Sequence, residues 1–377
     1  MNAQVHITRP GTTITTEKGF RMARANVCAR EGNWYYEAKI LRGINSASMP
    51  NAHVRVGWAR REAPLEAPVG FDAYSYSLRD VEGQKVHCSR PSEFMSESIV
   101  AGDVIGLQIC LPSLKSQRED LLANITTPSA SAAAVSILHS GDIIRDRIPI
   151  RYKNQLYFEQ FEYQPTKELD EVLNPSTTPS SVNSQKNSSI RSRTLPNSFI
   201  RVYKNGKLMG TPWTNLLHFL PPCSKPNSAL GGRELDDGFL GYYPAVSVFR
   251  GGAVECNFGP DFWFPLSLDN GGGEGDTVMT DATNTADLMP PLRPISDRYS
   301  EQIAEDIFYD LVDEVDCFFN TDPALLGLGV GAGSGGKTGG REGAEGGLGN
   351  VMEGDTTASG GQGGATEEIK EMEVEEE

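Results

Sequence analysis

The pattern most suggestive of chemistry lies at Gly331–Thr338, which reads GAGSGGKT and fits the phosphate-binding spacing GxxxxGK[ST] letter for letter. A phosphate cradle needs a buried strand before it and a helix after it, so that backbone N–H groups and the helix N-terminus face the phosphates. Here ALLGLGV precedes and GGREGAEGGLG follows. Neither can form a core strand or a stable helix, so the match is read as chance within a glycine-rich tail. Nucleophile chemistry is no better supplied. There is no GxSxG elbow, and the five histidines (His6, His53, His87, His139, His218) include no HxxxH or HExxH spacing. The six cysteines (Cys28, Cys88, Cys110, Cys223, Cys256, Cys317) are scattered, with no CxxC pair and no close histidine. That distribution points away from a zinc site or a disulfide framework and towards buried thiols in a reducing compartment. No catalytic residue, metal or cofactor is expected.

Two other patterns fit binding rather than catalysis. The segment 54–79, VRVGWARREAPLEAPVGFDAYSYSLR, sets Arg55 and Arg79 on either side of an aromatic and proline-rich loop. Arginine and aromatic anchors are the usual hot spots of interfaces. On pattern alone, packing of Phe71, Tyr74 and Tyr76 beside solvated arginines accounts for the segment as well. The second pattern is a stripe: Ile303, Ile307, Leu311 and Val315 fall at i, i+4, i+8 and i+12, and Phe308, Val312 and Phe319 widen it. Acidic residues fill much of the remaining surface, and Ser296 or Asp297 can cap the start. This predicts one amphipathic helix of about five turns ending near Asn320. It lies behind a Gly/Asp/Thr-rich linker, an arrangement that suits docking into another protein's groove. Packing on its own domain is the alternative.

Charge and composition set the frame. Residues 268–377 hold 5 Lys/Arg against 25 Asp/Glu, or −20, which leaves +4 for residues 1–267 from the total of −16. The acidic C-terminal part repels nucleic acid and anionic lipid. No apolar N-terminal leader and no membrane-length apolar run occur, so an intracellular, soluble protein is expected.

The elements that must position these residues read as short strands. His53–Ala59 puts Val54, Val56 and Trp58 on one face and His53, Arg55 and Gly57 on the other, the period of a half-buried strand. Trp34–Ile40 alternates large apolar or aromatic residues with polar ones, and Asp103–Leu111 is an apolar run of strand length. Gln155–Phe158, Phe199–Tyr203, Tyr243–Phe249 and Ala253–Phe258 read as further strands, with Asn205-Gly206 marking a hairpin. Many short strands with almost no helical period argue for an all-β antiparallel sandwich over 11–267. Residues 113–146, 165–197 and 221–238 are polar or Pro/Gly-rich and predict surface insertions, partly disordered. Residues 268–292 read as linker, 293–320 as the docking segment, and 321–377 as a disordered Gly-rich and acidic tail.

Together these residues resemble the SPRY (B30.2-like) domain, in the version found in the Ash-two/Bre-two subunit of COMPASS-type histone H3 lysine-4 methyltransferases. The resemblance is carried by EKGFRMARAN (17–26), GNWYYEAKI (32–40), VRVGWA (54–59), APVGFDAYSYSLRD (67–80) and GDVIGLQICLP (102–112). It continues through IRVYKNGKLMG (200–210), GYYPAVSVF (241–249), VECNFGPDFWFP (254–265), RPISDRY (293–299) and DLVDEVD (310–316). It implies a non-catalytic, nuclear scaffold. It places binding of a β-propeller subunit of the retinoblastoma-binding-protein/Swd type on Phe20, Arg55, Pro68, Phe71 and Arg79. It also implies docking of a Dpy-thirty-like dimer on Ile303, Ile307, Phe308, Leu311 and Val315, in support of a SET-domain methyltransferase. Phe20 and Phe71 stand where tyrosine is usual in the animal proteins, and Asp80-Val81-Glu82 replaces a basic stretch. The family's zinc-containing and winged-helix region is not matched, so DNA contact through it is not expected. A substrate receptor of a ubiquitin ligase is the alternative class, against which the lack of a RING, B-box or SOCS-like segment counts.

Overall fold

The computed structural model describes residues 5–8, 11–46, 49–124, 143, 147–152, 155–160, 194–221, 223–224, 236–266 and 290–320, with backbone alone for 124, 147–152, 155–160, 313 and 316–320. The phosphate-loop-like match, the acidic tail 321–377, most of the linker and the interiors of the three insertions lie outside them.

Two antiparallel sheets face each other across one core. The first contains β1 (Val5–Ile7), β2 (Thr13–Thr16), β4 (Gly32–Arg42), β9 (Val104–Leu111), β12 (Phe199–Lys204), β13 (Lys207–Thr214) and β15 (Ala253–Asn257), in the order β1-β2-β15-β4-β9-β12-β13. A short strand, β16 (Leu292–Pro294), adds to β4 in parallel where β15 leaves off. The second sheet runs β3 (Arg21–Arg24), β14 (Tyr242–Phe249), β5 (His53–Arg60), β6 (Ser75–Arg79), β7 (Lys85–His87) and β8 (Arg90–Ser92). A separate hairpin pairs β10 (Arg147–Tyr152) with β11 (Gln155–Gln160). The described chain is thus mostly β, with two helices, α1 (Leu114–Asn124) and α2 (Ile295–Asn320).

The core forms where the period of two turns the apolar faces inward. Val54, Val56 and Trp58 of β5 meet Tyr36 and Ile40 of β4 and Ile105, Leu107 and Ile109 of β9, all buried. Tyr36 and Trp58 pack edge to face with ring centroids 5.1 Å apart, the geometry that the ring quadrupoles favour. Asn205 and Gly206 both have positive φ, at 50° and 81°, as a two-residue hairpin between twisted strands requires.

Several expectations need correction. The stretch 113–146 does not begin as a surface insertion: α1 opens it, with Leu121 and Gln117 buried and the Gln117 amide donating to the Arg30 carbonyl at 2.7 Å. The ends of the other two stretches are also built into the body. Leu195 is fully buried, Ser224 joins a buried ion pair, and Asp236 accepts two hydrogen bonds from Arg30 at 2.6 and 2.7 Å. Their polar composition hid these anchors because the anchoring groups are themselves polar and paired. Residues 290–292, read as linker, lead into β16, and the Pro290 carbonyl accepts from Asn33. The aromatic loop before Arg79 ends sooner than expected, since Ser75–Arg79 is strand.

α2 is not wholly free of the sandwich. Ile295 at its start is fully buried, and Gln302 bridges to the chain at Asn26 and Cys28 through its amide. Arg298 pairs with Glu305 at 2.6 Å, and Arg293 pairs with Glu301 at 2.7 Å while lying over the Trp34 ring. The first two turns therefore belong to the body, and the later turns project from it.

Candidate partner-binding face

Arg55 and Arg79 are direct cross-strand neighbours on β5 and β6. Like charges set opposite each other in a sheet repel, and neither forms an ion pair among the described residues. Burial, and then the charge of Arg79, pull the Arg55 guanidinium below its ordinary range, with Asp80 opposing. Asp80 does not neutralise either arginine directly. Its carboxylate is buried and accepts from the Val54 N–H at 3.0 Å, beside His53 at 3.2 Å. The pair is an arrangement that a bound carboxylate would relieve.

The loop carrying Pro68 and Phe71 is laid over this face and fastened from beneath by small hydroxyl residues. The Val69 N–H donates to Ser247 Oγ at 2.6 Å, the Gly70 N–H donates to Ser75 Oγ at 2.7 Å, and Ser77 Oγ donates to the Val69 carbonyl at 2.8 Å. Arg55 reaches the same carbonyl at 3.2 Å. Close approach explains the glycines: a Cβ at Gly57 would collide with the Tyr76 carbonyl, and one at Gly70 would press on the Val86 carbonyl at 2.7 Å. Pro68 and Phe71 are joined by a turn in which the Phe71 N–H donates to the Pro68 carbonyl at 3.0 Å. Phe71 is left 52% exposed.

Phe20 completes the face. Its ring lies 5.1 Å from the Arg55 guanidinium and stacks on Phe249 at 4.6 Å. The structure thus brings Phe20, Arg55 and Arg79 together, and the Pro68–Phe71 turn is tied to Arg55 through the Val69 carbonyl. Sequence reasoning missed Ser75, Ser77, Ser247 and Phe249. The alternation in SYSLR held a signal for two of them, because it places Ser75, Ser77 and Arg79 on the same side of a strand.

The second candidate surface is the outer stripe of α2. Ile303, Ile307, Phe308, Leu311 and Val315 are between 41% (Ile303) and 60% (Phe308) exposed. Tyr299 continues the stripe towards the body and borders a cavity of about 800 Å³, which opens between the sheets near Ile14, Val27 and Phe258. The side chain of Phe319 lies outside the described residues. Among the described residues no cluster of metal-ligating side chains occurs, and no helix is long and apolar enough to cross a membrane.

The sandwich thus carries arginines and aromatics on the outer face of its second sheet. No protein-family model matches the chain. Among curated proteins it is 51% identical over 335 residues to the COMPASS component cclA of Colletotrichum higginsianum, covering 81% of this chain and 58% of that protein. It is 45% identical to the Set1 complex component ash2 of Schizosaccharomyces pombe (84% of this chain, 40% of the relative). It is 26% identical to the COMPASS component BRE2 of Saccharomyces cerevisiae (82% and 79%). A solved human SPRY domain aligns over 70% of the chain and all of its own length at 14% identity and a TM-score of 0.34, too distant to add weight. The chain is thus similar to the Ash2- and Bre2-type components of Set1 and COMPASS complexes. It spans about half the length of the first curated relatives it matches.

Proposed function

We propose that this chain is a nuclear, non-catalytic scaffold subunit of a COMPASS-like histone H3 lysine-4 methyltransferase complex. Its sandwich face takes an acidic and apolar segment of the β-propeller subunit. The observation that carries this reading is the uncompensated pair Arg55 and Arg79, facing each other across β5 and β6 beneath the Pro68–Phe71 turn. Two guanidinium groups can hold carboxylates through forked hydrogen bonds, while Phe20, Pro68 and Phe71 offer apolar contact. The exposed stripe of α2 suits a groove between paired helices, as a Dpy-thirty-like dimer would supply. Fixing both partners at once would lower the cost of ordering a mobile SET domain.

Titration of this 377-residue chain with the purified propeller subunit tests the face. Arg79→Ala is expected to weaken binding at least tenfold, about 1.4 kcal/mol, with an unchanged melting temperature because Arg79 is partly exposed and forms no ion pair among the described residues. Failure of the unaltered chain to bind would sink the proposed face. Co-purification with cullin machinery in place of methyltransferase subunits would favour the ubiquitin-ligase class.

A further inference from the structure

We infer that Arg250, in the turn that follows β14, is a third anion-reading arginine of the same face. This deepens the partner-face reading above and rests on it.

Four side chains form a continuous stack: the Arg55 guanidinium lies 5.1 Å from the Phe20 ring, Phe20 lies 4.6 Å from Phe249, and Phe249 lies 5.0 Å from the Arg250 guanidinium. Aromatic faces attract guanidinium groups and hold them flat, so the two rings fix both cations on one surface. Arg79 and Arg55 then lie on the neighbouring strands β6 and β5, and Arg250 lies in the turn directly after β14, the next strand of the same sheet. None of the three forms an ion pair among the described residues. Arg250 is exposed, so its charge is available to a ligand.

The backbone supplies a second observation. Arg250 has φ of 46°, a left-handed conformation that glycine or asparagine adopts more easily than arginine. The turn is held there by the Arg250 N–H donating to the Lys18 carbonyl at 2.9 Å and the Gly251 N–H donating to the Thr16 carbonyl at 2.7 Å. The turn therefore fixes the backbone from which the Arg250 side chain reaches the Phe249 ring. Beside it lies a concavity of about 470 Å³ bordered by Lys18, Met49, Pro50 and Phe249, with Glu17 as its one acidic border. It leaves room for the ligand to continue past Arg250. Charge complementarity selects an acidic peptide segment as the occupant.

The test uses a synthetic peptide carrying three glutamates within four residues followed by apolar residues, and versions with single Glu→Gln changes. Each is titrated against the unaltered chain, Arg250→Asn and Arg55→Ala. Asparagine tolerates the positive φ, so Arg250→Asn is expected to keep the melting temperature while weakening the all-glutamate peptide about tenfold. One of the Glu→Gln peptides should lose affinity for the unaltered chain but not for Arg250→Asn, which locates the carboxylate that Arg250 reads. Unchanged affinity of Arg250→Asn, with binding lost in Arg55→Ala, overturns this inference and leaves the face standing. A fall in melting temperature parallel to the loss of affinity also overturns it, since Arg250 would then be structural. No binding of any peptide by the unaltered chain overturns both.

Discussion

Glu62→Ala is expected to lower the unfolding free energy by about 3–5 kcal/mol, because it strands a buried guanidinium without its counter-ion. Arg60 and Glu62 are both almost fully buried and form a close ion pair, in which Ser224 donates to the same carboxylate. Arg60 also donates to the His218 carbonyl at 2.8 Å and to Ser224 Oγ at 2.7 Å, and its guanidinium lies 5.0 Å from the Tyr74 ring. The network therefore ties the end of β5 to both ends of the loop that roofs the partner face and to the stretch after His218. Burial raises the Glu62 carboxyl, but the Arg60 charge and the hydrogen bonds outweigh it and hold it below the usual carboxylate range. A depressed folded-state value means that the contribution is present at neutral pH and is lost as pH falls through that value. Urea unfolding measures the cost. The double change Arg60→Met with Glu62→Leu should cost less than Glu62→Ala alone, since it leaves no buried charge. A loss below about 1 kcal/mol for Glu62→Ala, the size of an ordinary surface change, would contradict the pairing.

Ile307→Asp combined with Leu311→Asp is expected to abolish docking of a helical dimer on α2, with at least a hundredfold loss of affinity, or about 2.7 kcal/mol. Both side chains are more than half exposed, so the isolated chain should melt at an unchanged temperature. The opposite behaviour is expected at Gln302→Ala, which removes the amide bonds joining α2 to Asn26 and Cys28. That change should loosen the helix without touching the stripe. Calorimetric titration and thermal melting of each variant separate the two surfaces. If the double aspartate variant melts well below the unaltered chain, the stripe packs within its own fold and the docking reading fails.

How much of this was legible in the sequence depends on what covers each strand. At β5 the alternation was clear, because the core covers Val54, Val56 and Trp58 while His53 and Arg55 stay partly exposed. At β4 the alternation was also clear, but it pointed to an exposed outer side that is in fact covered, since the segment after Asn257 folds back across it. Glu37 is consequently buried, accepting N–H groups of Trp263 and Phe264 at 2.7 and 3.0 Å, and Tyr35 packs edge-on against Phe262. A polar residue in a strand looks solvent-facing until the covering segment is seen. β16, three residues long, is too short to show any period. In α2 the stripe was readable from spacing. The division between turns held by Ile295, Arg298 and Gln302 and turns left open was not, because both faces carry mixed residue types. At the proposed partner face, arginines and aromatics stood out by type. Phe249 and Arg250 lie far from Phe20 and Arg55 in sequence, and only the sheet order brings them together.

The most direct test of the scaffold reading is methylation of a histone H3 peptide by a reconstituted SET-domain subunit and β-propeller subunit, with and without this chain. The chain alone should show no turnover. Adding it should raise the rate of the other two, and Arg55→Ala with Arg79→Ala should remove that gain at concentrations near the binding constant of the unaltered protein. A rate that does not respond to the chain, or a gain that survives loss of both arginines, would contradict the account.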